Sequence, residues 1–248
     1  LGALRGRNRA WALRLNERDV VGPRLVQYGR PLTSPDGHCD WMGYVCRDAE
    51  EARAAAEREV ALGVDGLKLM VSGGLGSIET ELRGTLFGAA SIQAACDVAR
   101  AAGVPTAAHV IGGSGIRAAA NAGVTSIEHG YWLDAEDARV LEACGTILVP
   151  TMTVSHLLAR RVEIEGRAPS EQVVERARRA EEAQRTSLRH AMDAGVEIVA
   201  GTDLAPGTLV QELQLLHETG LGIDATLRSA TSSAAALLRQ ADIGHIRT

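Results

Sequence analysis

Two hydrophobic periods alternate along this chain. Apolar residues recur at helical spacing over 3–18, 48–62, 91–102, 114–123, 134–143, 170–194, 208–219 and 224–238. Between them lie short, continuous apolar runs at 24–28, 66–71, 104–110, 124–129, 146–151 and 196–201, the pattern of strands buried on both faces. A long polar stretch, 29–48, carries Pro31, Pro35, Gly37, His38 and Trp41 and reads as a functional loop. Asp48, Ser114 and Ser170 stand where helices need N-caps. Four helices run into a glycine followed by valine: Gly63-Val64, Gly103-Val104, Gly123-Val124 and Gly195-Val196; Gly145 plays the same part in a fifth. Glycine there supplies a left-handed helix stop, and the next strand begins at once.

Repeated helix–glycine–strand units imply parallel crossovers, hence a doubly wound sheet or a (β/α) barrel. Polar groups appear just past each strand, which favours the barrel, whose active site gathers at the C-terminal rim. The expected fold is α/β, a (β/α)8 barrel of the TIM type that is incomplete, with six runs where the full barrel has eight strands. Residues 1–248 are expected to form this single partial barrel domain, with two exposed sheet edges.

The central stretch GVPTAAHVIGGSGIRAAANAGVTSIEHG reads as strand, helix, strand, with a histidine, His109 or His129, closing each strand. Parallel neighbouring strands would bring both imidazoles to one rim, as a metal such as zinc requires. In GLKLMV, alternation sends Leu67, Leu69 and Val71 toward the helices and turns Lys68 and Met70 to the other face. A buried ammonium must be paired, here with Asp203 or Glu128, or lose its charge. Taken alone, Lys68 reads as half of an ion pair; carboxylation by carbon dioxide, which would make it an anionic metal ligand, is the other outlet. Asp203, in AGTDLAP, could bind metal, act as a general base or cap the following turn.

Composition narrows the partners. The 248 residues carry a formal charge of −5 and no apolar run long enough to span a membrane, so neither nucleic acid nor a membrane is an expected partner. Homo-oligomerisation stays open. Four scattered cysteines (Cys39, Cys46, Cys96 and Cys144) fit reduced thiols and a cytoplasmic location.

The order Lys, His, His, Asp on four strands resembles the amidohydrolase superfamily of metal-dependent hydrolases, in its imidazolonepropionase-like and Xaa-Pro/Xaa-Arg dipeptidase (prolidase-like) branch. The matching pieces are GPRLVQYGRPLT with GHCD, GLKLMVSGG, TAAHV, GIRAAANAGVTSIEHG, VPT, AGTD and LRSATSSAAALL ending in DIGHI. The resemblance implies a carboxylated Lys68 bridging two metals, with zinc as the expected ion, and His109 and His129 as ligands of the second. It implies Asp203 as a metal-bound aspartate that takes a proton from the attacking water and passes it to the leaving amine. The implied chemistry is hydrolysis of an amide or peptide bond, in a dipeptide or cyclic amide, by metal-activated water. His38 resembles a loop histidine near the substrate.

Two departures stand out. The family's first strand carries a His-x-His pair for the first metal, and this chain contains no such pair. By the same resemblance, the sequence is expected to begin just after the family's second strand and to stop before its small β-sandwich. Dipeptidase relatives often place a tyrosine after the first of the two histidines, where Val110 and Ile111 stand here; Tyr131 and Arg117 are the candidate substitutes for holding substrate. The competing readings are a non-catalytic remnant barrel that needs a partner, and a metal-free barrel using Lys68 as a Schiff-base nucleophile.

Overall fold

The computed structural model describes residues 21–246, except 78, 165, 205 and 206. The expected helix 3–18 lies outside the described residues. Six strands form one wholly parallel sheet: β1 (Leu32–Thr33), β2 (Tyr44–Val45), β3 (Leu67–Met70), β4 (Thr106–Gly112), β5 (Ser126–Trp132) and β6 (Ile147–Val149), in the order β2-β1-β3-β4-β5-β6. Helices α1 (Ala49–Ala61), α2 (Ala89–Ala102), α3 (Ser114–Ala122) and α4 (Ala135–Cys144) follow β2, β3, β4 and β5, and pack on one another in that order. The remaining helices are α5 (Met152–Ala159), α6 (Glu171–Ala194), α7 (Leu209–Thr219), α8 (Ile223–Ser229) and α9 (Ser232–Leu237). This is the α/β barrel architecture, with the sheet not closed among the described residues.

Local chemistry sets the helix ends. Asp48 accepts from the Glu51 amide at the start of α1, Ser170 from Val173 at the start of α6, and Asp134 makes a reciprocal capping box with Asp137 at α4. The five repeat glycines all sit in the left-handed region, φ from 66° at Gly145 to 85° at Gly123. Leu67, Leu69 and Val71 join Ala108, Val110 and Ile127 in the core between sheet and helices, as alternation requires.

Several expected elements move. Residues 24–28 lie outside the sheet, tied to Asp65 by Asp65 N–H to the Gln27 carbonyl (2.9 Å) and Gln27 N–H to Asp65 Oδ2 (2.7 Å), and to Asp242 by the Arg24 guanidinium. The strands in this region are instead β1 and β2, inside the stretch expected to be loop. Gly29, at φ 55°, turns the chain, and Glu59 catches the Arg30 amide before β1 starts. The run 196–201 contributes only a parallel bridge, Ile198 to Leu148, outside the named strands. Gly113, not Ser114, is the N-cap of α3; Ser114 lies inside the helix, its hydroxyl 2.9 Å from that of Thr85. Helix α5 lies between 151 and 170, where the periodicity assigns no element, and 224–238 is broken into α8 and α9.

Candidate active site

A cavity of about 540 Å³ opens where the strands end. Its wall takes Lys68 and Met70 from β3, Ala107 and His109 from β4, Ser126, Glu128 and His129 from β5, and Thr151 and Asp203 from the turns that follow. Cys39 and His38 come from the loop between β1 and β2. The structure thus brings His38, Lys68, His109, His129 and Asp203 to one space.

The two central histidines do not arrive there at equivalent positions. In the sheet register His109 faces Glu128, and His129 faces Val110 one step further on. Ser126 and Glu128 line the cavity, so strict alternation would send His129 to the opposite face with Ile127. The register shifts between Val110 and Gly112, which pair with His129 and Trp132, leaving one extra residue on β5. His129 and Gly130 both adopt positive φ, 80° and 58°. This bulge turns the imidazole back into the cavity. Glycine suits position 130, where φ is positive and an added Cβ would stand 2.8 Å from Leu148 Cδ1.

The imidazoles pack closely. His109 and His129 have ring centroids 4.5 Å apart, edge to face, and His38 stacks on His109 at 4.4 Å. His109 Nε2–H donates to the Gly73 carbonyl at 2.9 Å, which leaves the lone pair on Nδ1. His129 Nδ1 is 2.7 Å from Thr151 Oγ1, and His38 Nδ1 is 2.8 Å from Ser77 Oγ. The glycine-rich loop after β3 makes room for this stack; a Cβ on Gly74 would lie 2.4 Å from the His38 ring.

Burial is the main cause that holds all three rings neutral. It drives His38 down to about 4, with Lys68 adding to the effect. His109 and His129 fall well below the usual histidine value, again chiefly by desolvation, reinforced by neighbouring imidazoles and Lys68. Neutral imidazoles are the form that donates a lone pair to a cation. Among the described residues no ion pair involves Lys68, and Glu128, one of its expected partners, accepts instead from Ser126 Oγ at 2.7 Å. Also among the described residues, no three His, Cys, Asp or Glu side chains are grouped to hold a metal by themselves. A cation here would need Lys68 as well as the histidines.

Two expected substrate residues sit elsewhere. Arg117 is not among the residues lining the cavity; its guanidinium lies 3.4 Å from Glu136 and from Asp137, drawn to the acidic first turn of α4. Tyr131 is 1 % exposed, behind His129, with its hydroxyl 3.2 Å from Thr151 Oγ1. Sequence reading passed over Cys39, Thr151 and Glu212. The last is legible in retrospect as a carboxylate on the apolar face of α7, one turn before Leu215 and Leu216.

The sequence pattern of the amidohydrolase family matches residues 5–248. The chain belongs to the amidohydrolase family. Ochratoxinase of Aspergillus niger is 26 % identical over 83 % of this chain and 48 % of its own length. An uncharacterised protein of Mycobacterium bovis is 26 % identical over 84 % of this chain and 56 % of its own. The chain therefore spans about half the length of the curated relatives it matches. In three dimensions it resembles a Xaa-Pro dipeptidase solved with methionine in its active site, with TM-score 0.89, 28 % identity, and coverage of 100 % of this chain and 65 % of that one. It resembles the A. niger ochratoxinase structure with TM-score 0.83 and 26 % identity, over 95 % and 60 % of the two chains.

Proposed function

We propose that residues 1–248 form one barrel domain that carries the metal-dependent hydrolysis of an amide or peptide C–N bond. The observation that carries this reading is the convergence of His109 and His129, both neutral and turned into one cavity with Lys68 and Asp203. The donor chemistry fits a divalent cation such as zinc: two neutral imidazoles, a carboxylate, and a lysine that becomes anionic on carboxylation. Lys68, His109, His129 and Asp203 would hold it. When bound, such a cation polarises a carbonyl and lowers the pKa of water. Asp203 takes a proton from the attacking water and returns it to the leaving nitrogen. The apolar wall formed by Met42, Met70, Val149 and Leu237 excludes bulk water, and His38 orients the substrate. Dipeptides, following the Xaa-Pro dipeptidase relative, and cyclic amides, following the sequence resemblance, are the substrate classes.

Elemental analysis of the purified chain tests this directly. Stoichiometric zinc is expected, lost in His129→Ala while the circular dichroism spectrum is retained. Unchanged metal content in that variant removes His129 from the ligand set. One observation favours a second reading, a non-catalytic barrel: the described carboxylates, thiols and imidazoles make no metal cluster without Lys68. Absence of metal from the wild-type chain after reconstitution with zinc and bicarbonate would decide for it.

A further inference from the structure

Behind the cavity wall runs a set of buried polar groups that the hydrolytic chemistry does not use. Thr151 Oγ1 lies 2.7 Å from His129 Nδ1 and 3.2 Å from the Tyr131 hydroxyl, which is itself 3.4 Å from the Thr151 carbonyl. Thr151 stands at φ 50°, directly before α5. A β-branched residue in that region costs about 1–2 kcal/mol, so the surroundings must impose it. They do so through Glu212 of α7, 0 % exposed. Its Oε1 accepts from the Met152 amide at 2.9 Å; its Oε2 accepts from the Thr153 amide at 2.8 Å and from Thr153 Oγ1 at 2.7 Å. The carboxylate thus satisfies the first two amides of α5 from a different helix. Gln184 of α6 grips the other side of the turn, donating to the Pro150 carbonyl and accepting from Ser155 Oγ at 2.7 Å.

One arrangement of protons gives every donor in this set an acceptor. His129 Nδ1–H donates to Thr151 Oγ1, the Thr151 hydroxyl to the Tyr131 oxygen, and the Tyr131 hydroxyl to the Thr151 carbonyl. The lone pair of His129 is then on Nε2, for which the described residues provide no hydrogen-bond partner. The opposite tautomer would turn an N–H from that same atom toward the cavity, where the described residues offer it no acceptor.

We propose that Thr151, held in its left-handed turn by Glu212, is the positioning residue for His129, fixing both the ring's orientation and its Nδ1–H tautomer. Its consequence for catalysis rests on the reading of His129 as a ligand, but the tautomer itself belongs to the metal-free protein. Long-range proton–nitrogen NMR on the metal-free chain, at about pH 8 where histidine is neutral, reads it directly. His129 is assigned by its loss in His129→Gln. The wild type is expected in the Nδ1–H form. Thr151→Gly removes the hydroxyl and at the same time relieves the backbone, so the chain stays folded and the His129 tautomers become mixed. Thr151→Ser restores the single form. Glu212→Gln mixes the tautomers too, because an amide NH2 cannot accept from the α5 amides.

A wild-type His129 protonated on Nε2, or a tautomer unchanged in Thr151→Gly, overturns the proposal. A tautomer unchanged in Glu212→Gln overturns the role of Glu212. Zinc titration supplies the second readout: affinity falls roughly 10–100-fold in Thr151→Gly and recovers in Thr151→Ser. A wild-type chain that binds no zinc sinks the proposed hydrolase while leaving the tautomer result standing.

Discussion

A carboxylate that accepts three hydrogen bonds at a helix start ordinarily ionises easily, yet Glu212 is pushed up to about 7 because burial outweighs those bonds. Its folded value lies above the unfolded one near 4.5. The sign follows: the folded state holds the proton that the unfolded state releases, so the contribution to stability is full below about 4.5 and is lost as pH rises through about 7. Glu212→Gln has no such proton to lose. The stability of the wild type relative to this variant is therefore expected to fall between pH 5 and 8, by at most about 3 kcal/mol. Urea unfolding midpoints at the two pH values measure it, and parallel curves would show that Glu212 is ionised throughout. Strain marks the same neighbourhood. His129, Thr151 and Asp203, at the exits of three successive strand segments, are all non-glycine residues at positive φ, 80°, 50° and 52°. Such conformations persist where surrounding contacts impose them, and here they aim three polar side chains into one cavity.

The helix–glycine–strand unit is the element that repeats, and its glycines differ in what they tolerate. Gly145 ends α4 at φ 66° with open space around its absent side chain. Gly145→Ala should cost only the left-handed penalty, about 1–2 kcal/mol. Gly113, the N-cap of α3 at φ 75°, would place a Cβ 2.0 Å from the Arg83 carbonyl oxygen. Gly113→Ala must therefore displace the loop that precedes α2 as well, and is expected to destabilise by clearly more than Gly145→Ala. Thermal denaturation of the two variants side by side checks this order; equal losses would mean that the loop yields freely. Helix α5 shows the converse case. Half of its eight residues, Thr153, Val154, Ser155 and His156, are weak helix formers, so local preference announces it only weakly. The cap from Glu212 and packing against α6 and α7 supply what propensity lacks.

Across the molecule, order should follow position in the sheet. β4 and β5 each have seven residues and strand neighbours on both sides, whereas β1 and β2 have two residues each and β2 is an edge. Hydrogen exchange is expected to be slowest by orders of magnitude in β4 and β5 and fast at Tyr44 and Val45. Uniform protection would mean that the edge is covered. The α/β class, the parallel sheet and the helix stops were legible because they depend on neighbours within a few positions: a glycine after a helix, a cap before it, an apolar run between them. That Lys68, His109, His129 and Asp203 come to one cavity was legible too, since strand ends announce themselves. The bulge that turns His129 into the cavity, the salt bridges that take Arg117 out of it, and the reach of Glu212 across to Met152 and Thr153 were not. Each depends on contacts between segments far apart in the chain, whose energies exist only once packing has brought them together. Periodicity and residue chemistry determined which groups are present and roughly where each strand delivers them. Tertiary structure alone decided which way they face, because register, strain and burial are set by neighbours that the linear order does not name.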